Sequence, residues 1–116
     1  MMKNVSTWQS ICAVDDLIAN AGVCALLDNP AKRQIAIFSV PHLAEQVFVV
    51  DNYDPIGKAN VLYRGIVGCS EGEPVISSPL YKQQFSLTDG HCLQENISIK
   101  TYITRIHHNK VQLLIE

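Results

Sequence analysis

Short apolar runs, each closed by a turn signal, recur along the whole chain with no sustained helical period. Brief runs and period-two alternation between clusters of Gly, Pro, Asn and Asp are the pattern of β-strands, which restricts the chain to an all-β sandwich or barrel. Trp8, Ser10 and Cys12 alternate with Thr7, Gln9 and Ile11 in a first strand. Asp15 to Ile18 reads as a short loop, and Asn20-Ala21-Gly22 turns the chain into a second strand from Val23 to Leu27. Asp28 to Arg33 has the turn chemistry of a hairpin loop, leading to Gln34 to Phe38 and, past Pro41, to Val47 to Val50. These last three runs are expected at the centre of the larger sheet.

Asp51 to Arg64 reads as loop, because Asn52, Asp54, Pro55 and Gly57 interrupt any period. Ile66 to Cys69 and Pro74 to Ser77 form a hairpin across Ser70-Glu71-Gly72-Glu73, and Gln84 to Leu87 gives a further strand before Thr88-Asp89-Gly90. Ile97 to Ile106, rich in Ile, Thr and Tyr, is predicted as one strand. His107 to Lys110 then turns into a last strand from Val111 to Ile115.

With 116 residues, 47% of them hydrophobic and 17% charged, the sequence fits one globular domain over 1–116. A net charge of -2 without a basic cluster gives no electrostatic case for nucleic acid or an anionic membrane. The first residues lack the apolar segment of a secretory signal, and no apolar run reaches membrane-spanning length. A cytoplasmic protein with reduced thiols is the expectation. The four cysteines show no close pairing, which argues against a zinc site or a redox pair. Cys12, Cys24 and Cys92 sit among apolar neighbours and are expected in the core, whereas Cys69, beside Glu71-Gly72-Glu73, is expected to be accessible.

The most specific signal is a pair of proline turns, Asp54-Pro55-Ile56 and Ser78-Pro79-Leu80-Tyr81, followed by Phe85-Ser86-Leu87-Thr88-Asp89-Gly90. Together they resemble a Rieske domain. In that family a Cys-Pro-His-type turn and a Cys-Pro-x-His-Gly turn hold a [2Fe-2S] cluster, and the second leads into a Phe-x-Leu-x-x-Gly strand and turn. The resemblance implies a Rieske-like sandwich or barrel in which 51–90 is the small inserted subdomain that holds the cluster in the family. It places Asp54 and Ser78 where the thiolates belong, and Ile56 and Tyr81 where the imidazoles belong. Rieske clusters need thiolate and imidazole ligands, and Ile56 offers only hydrocarbon. These four positions are therefore expected to be vestigial, with no metal and no catalytic residue.

Trp8, Gly22 to Leu27, Gln34 to Phe38, Gln46-Val47-Phe48, Asp54-Pro55, Arg64-Gly65, Ser78 to Phe85 and Leu87 to Leu93 extend the likeness. The chain is similar, over most of its length, to the small subunit of the cytoplasmic NAD(P)H-dependent nitrite reductase. That resemblance implies a non-catalytic accessory subunit in nitrate assimilation. Its partner large subunit would carry FAD, a [4Fe-4S] cluster and sirohaem and reduce nitrite to ammonia, while this chain would bind no cofactor. The surface expected to meet the partner is the tip made by the two turns, with Ile56, Leu80 and Tyr81 as an apolar centre beside Lys58, Arg64 and Lys82. The competing expectation is that Ile56 and Leu80 plug the space a cluster would fill. Two other classes stand as rivals: an electron-transfer protein with a non-standard metal site at Asp54, Ser78, Tyr81 or His91, and a stand-alone binding module.

Individual side chains also have structural readings. An Asp before Pro ordinarily bonds backbone amides in its turn. Ser78 has no base placed beside it by sequence, so hydrogen bonds that hold the two loops together are its expected use. His91 and Cys92 would face opposite sides of a strand and could not easily share one ion. His107 and His108 belong to a solvated turn, and Gly57 and Gly65 lack the context of a nucleotide-binding loop.

Overall fold

Two apolar runs set the architecture. In the computed structural model, which describes residues 7–27, 33–43 and 46–115, they form β3 (Arg33–Ser39) and β4 (Val47–Asp51), paired antiparallel from Ile35↔Asp51 to Ser39↔Val47. With β2 (Gly22–Leu27) and β10 (Thr101–Tyr102) they make a four-stranded sheet in the order β10-β4-β3-β2. Successive strand residues face opposite sides. Ile35, Ile37, Val47 and Val49 therefore pack on one face with Leu27, Val111 and Leu113. Ala36, Phe38, Phe48 and Val50 pack on the other with Leu62, Ile76, Phe85, Leu87, Cys92 and Ile99. Burial on both faces explains why these strands read as unbroken apolar runs rather than as alternation.

The first face is covered by β1 (Thr7–Ala13), β12 (Lys110–Ile115) and β11 (Thr104–His107), in the order β1-β12-β11. A register shift between Ser10 and Cys12 bulges β1. The second face is covered by the chain between β4 and β10. It holds the hairpin of β5 (Tyr53–Asp54) and β6 (Ala59–Asn60), and the sheet of β7 (Ile66–Ser70), β8 (Glu73–Ser77) and β9 (Gln84–Ser86) in that order.

Several sequence expectations are corrected. The second strand pairs only with β3 and lies at the sheet's edge, so β3 and β4 alone are central. Cys24 is accordingly exposed rather than core, with its Sγ 3.6 Å from both Gln34 Oε1 and Asn52 Nδ2. Cys12 is half-buried, Cys92 is buried, Cys69 is exposed, and all four thiols are free. Ile97 to Ile106 is not one strand: β10 pairs with β4 and β11 pairs with β12, so Ile103 steps between two sheets and is 62% exposed. The Asp28 to Arg33 loop falls mostly on residues 28–32, outside the described residues, and the Leu27↔Arg33 pair closes the hairpin.

Asp51 to Arg64 is not loop throughout either: it holds β5, β6 and a 3-10 turn that Asn52 anchors. This buried side chain accepts the Tyr63 amide at 2.7 Å through Oδ1 and donates to Gln34 Oε1 at 3.1 Å, while its carbonyl accepts the Leu62 amide at 3.1 Å. These bonds fix a single 3-10 turn, Leu62–Arg64, against the central sheet. Among the described residues no helix is long and apolar enough to cross a membrane.

Candidate functional site

The two proline turns meet at one end of the small sheet. The first is the loop of the β5–β6 hairpin, closed by the Lys58 amide donating to the Asp54 carbonyl at 2.6 Å. The second leaves β8 at Ser78 and enters β9 at Gln84. It is closed by Ser78 N donating to Gln83 O at 2.8 Å and Lys82 N donating to Ser78 O at 3.1 Å.

Asp54 and Ser78 join these loops. Both are buried, and the Ser78 hydroxyl donates to Asp54 Oδ2 at 2.5 Å, the short separation of a hydroxyl on a carboxylate. Asp54 Oδ1 accepts the amides of Ile56 at 2.8 Å and Gly57 at 3.0 Å. Ser78 Oγ in turn accepts the Leu80 amide at 3.2 Å. Every polar atom of the two side chains thus has a partner, as burial requires. The residues at the family's two thiolate positions form a hydrogen-bonded clip between the loops.

The residues at the imidazole positions diverge. Ile56 is partly buried against the core that contains Phe38, Phe85 and Leu87. Tyr81 is 64% exposed, and Leu80, 43% exposed, lies over the bare backbone of Gly57. A Cβ on Gly57 would stand 2.4 Å from Leu80 Cδ1, so glycine permits the two loops to touch. Ile56 therefore fills space inward while Leu80 and Tyr81 reach solvent.

Lys58, Arg64 and Lys82 are exposed around them. Arg64 lies two residues before Ile66, which pairs with Ser77 beside Ser78, and its guanidinium bonds the Tyr63 hydroxyl at 3.0 Å. Sequence reasoning missed Ile66. It is the most exposed large apolar residue among those described, at 73%, and it opens the edge strand β7 at the tip end of the sheet.

This donor set does not fit a [2Fe-2S] cluster. Ile56 has no donor atom, the Asp54 and Ser78 oxygens are engaged with each other, and Tyr81 faces water. Nor do Asp54, Ser78, Tyr81 and His91 gather into another metal site. His91 belongs to the opposite end of the small sheet, where its imidazole and amide both bond Asp89. There Glu73, Asp89 and His91 bring ligand atoms within 4.8 Å of one another. Hydrogen bonds from the His91 amide and then its ring hold the Asp89 carboxyl below its usual range, and the same ring contact with Asp89 raises His91. Ser86 Oγ donates to Glu73 Oε2 at 2.5 Å. The arrangement is an exposed acidic end of the sheet.

Comparison with known proteins follows the same lines. The family model of the Rieske-like [2Fe-2S] domain matches residues 7–114. The chain is 44% identical over 110 residues to the nitrite reductase (NADH) small subunit of Salmonella typhimurium, covering 94% of this chain and 98% of that one. It superposes with a TM-score of 0.86 on the crystal structure of an NADH-dependent nitrite reductase small subunit from Mycobacterium tuberculosis. That pair is 36% identical, with 97% and 98% of the two chains covered. It is also 39% identical over 105 residues to part of the nitrite reductase [NAD(P)H] large subunit of Klebsiella oxytoca, covering 90% of this chain but 10% of that protein.

Proposed function

For a chain that belongs to the Rieske-like family and, within it, to the small subunits of NADH nitrite reductase, we propose the role of an accessory subunit that docks on a large subunit through its tip. The partner would be the catalytic body of the enzyme, carrying FAD, a [4Fe-4S] cluster and sirohaem and reducing nitrite to ammonia in nitrate assimilation. This chain would act in the cytoplasm without a cofactor or catalytic residue of its own. The proposal takes 1–116 as one domain and 51–90 as an inserted unit that presents the tip.

The observation that carries the reading is the clip between Asp54 and Ser78. It holds both tip loops in place by hydrogen bonds where the family uses metal ligation, and it leaves Leu80 and Tyr81 exposed. A tip built this way would lack a redox centre to pass electrons through and would keep a shaped surface to bind with. The Klebsiella oxytoca large subunit supports the choice of partner, because a segment like this chain is covalently part of it. In that protein the domain is tethered to the body it would otherwise have to find.

The test is co-expression with a nitrite reductase large subunit, followed by size-exclusion chromatography. Co-elution of wild type, lost in Leu80→Ala with Tyr81→Ala while the isolated variant stays folded, is the expected result. Separate elution of the wild-type chains would refute the proposal.

A further inference from the structure

Charge on the small sheet is sorted between its two ends, within a chain whose net charge is -2. Lys58, Arg64 and Lys82 stand at the tip end, where the nearby carboxylate, Asp54, is buried and consumed by the clip. Glu71, Glu73 and Asp89 stand at the other end, across the length of β7 and β8. Among the described residues Arg33 pairs with Asp51, and His91 contacts Asp89 as an ion pair when its imidazole is protonated, so none of the three tip cations has a carboxylate partner.

The backbone adds an independent observation. Lys58 and Lys82 both adopt left-handed conformations, with φ of 59° and 65°. Each closes its tip turn by donating an amide to the carbonyl four residues earlier, Asp54 in one case and Ser78 in the other. Such a position disfavours a side chain with a Cβ, and glycine or asparagine serves it better. Position 82 is also the place of the glycine in the Cys-Pro-x-His-Gly turn. Turn geometry alone would not select lysine at both sites. Glu71 and His108 are left-handed as well, but at the tip both such positions carry a cation.

Resting on the reading of the tip as the docking surface, we infer that its receptor on the large subunit is an acidic patch around an apolar socket. Leu80, Tyr81 and Ile66 supply the apolar centre, while Lys58, Lys82 and Arg64 pair with carboxylates at the rim. The acidic end bearing Glu71, Glu73 and Asp89 is repelled by the same patch, so the unit approaches tip first. Opposed charges at the two ends act mainly on the rate and orientation of encounter.

The experiment measures association of the full chain with purified large subunit on a biosensor, at ionic strengths from about 0.02 to about 0.3 M, a range over which surface charges become screened. Lys58→Glu with Lys82→Glu should slow association about tenfold or more at low salt, an effect that shrinks as salt rises. Lys58→Gly with Lys82→Gly removes the charges and relieves the left-handed strain, so it keeps the fold and should also associate more slowly. Glu71→Lys weakens the repulsion at the far end and should alter association less than either lysine variant; an effect as large as theirs would overturn the tip-first approach. Tight wild-type binding that is indifferent to salt and to both lysine variants would overturn the acidic receptor and leave the docking tip standing. No wild-type binding at all would overturn both.

Discussion

The central sheet and the tip solve the same problem, holding two segments together, by different physics. Across β3 and β4 contact is made by apolar side chains on both faces, with Ile35, Ala36, Ile37, Phe38 and Val50 fully buried. At the tip the two loops are joined by a few directional bonds between buried polar groups, Asp54 and Ser78. Apolar burial is non-directional and tolerates local change if volume is kept. A hydrogen-bonded clip fixes geometry and fails abruptly when one partner is lost. Directional bonds between buried groups give the two tip loops defined positions, which the proposed docking surface needs and a simple filled core does not.

The largest expected effect is in the core. Phe85→Ala removes a fully buried ring from the cluster beneath the tip and should cost about 3–5 kcal/mol in chemical denaturation. A loss no larger than that of a surface substitution would show that the second face of the central sheet is not a packed layer.

Next comes the clip. Ser78→Ala and Asp54→Ala each strand buried partners and should cost about 1–3 kcal/mol, with Asp54→Ala at the upper end because three donors lose their acceptor. A double-mutant cycle should give a coupling of about 0.5–3 kcal/mol. Strict additivity of the two losses would mean that the side chains do not act as one clip.

How much of this contrast was legible in the sequence depends on the kind of interaction. Gln34 to Phe38 and Val47 to Val50 announced a sheet buried on both faces, because unbroken apolar runs of strand length have few other homes. Asp54 and Ser78 are 24 residues apart, and only the two-turn motif, not any local pattern, brought them together. Asn52 was read as part of a loop, since a polar residue beside Tyr53 and Asp54 looks like turn chemistry. Its role depends on Gln34 and Tyr63, which no local window contains. Ile66 was missed because an apolar residue opening a strand reads as core until the strand is seen to lie at an edge. Cys24 misled for the same reason: its apolar neighbours belong to β2, an edge strand on which Cys24 is exposed.

A smaller effect concerns the join between β4 and β10. The Tyr102 hydroxyl donates to Asp51 at 2.6 Å, and burial, followed by that bond, pushes its pKa from 10.0 up to about 12. The fold therefore favours the neutral phenol. Its contribution is fully present below about pH 10 and is lost as pH rises through about 12. Tyr102→Phe should cost about 0.5–1.5 kcal/mol at neutral pH and should flatten the loss of stability above pH 10. An unchanged alkaline profile in the variant would remove Tyr102 from the account.

The smallest effect on folding is expected at the exposed side of the tip. Tyr81→Ala should change stability by no more than about 0.5 kcal/mol, as befits a surface residue, while weakening association with the large subunit. A clear loss of stability without loss of binding would make Tyr81 a structural plug and the tip a closed remnant.

The clip between Asp54 and Ser78 is proposed to stand in place of a cluster. Anaerobic reconstitution of the purified chain with ferrous iron and sulfide tests it most directly, read by acid-labile sulfide analysis and by electron paramagnetic resonance after reduction. Colourless protein with no bound sulfide and an unaltered melting temperature is the expected result. A stoichiometric sulfide content with a Rieske-type signal would contradict it.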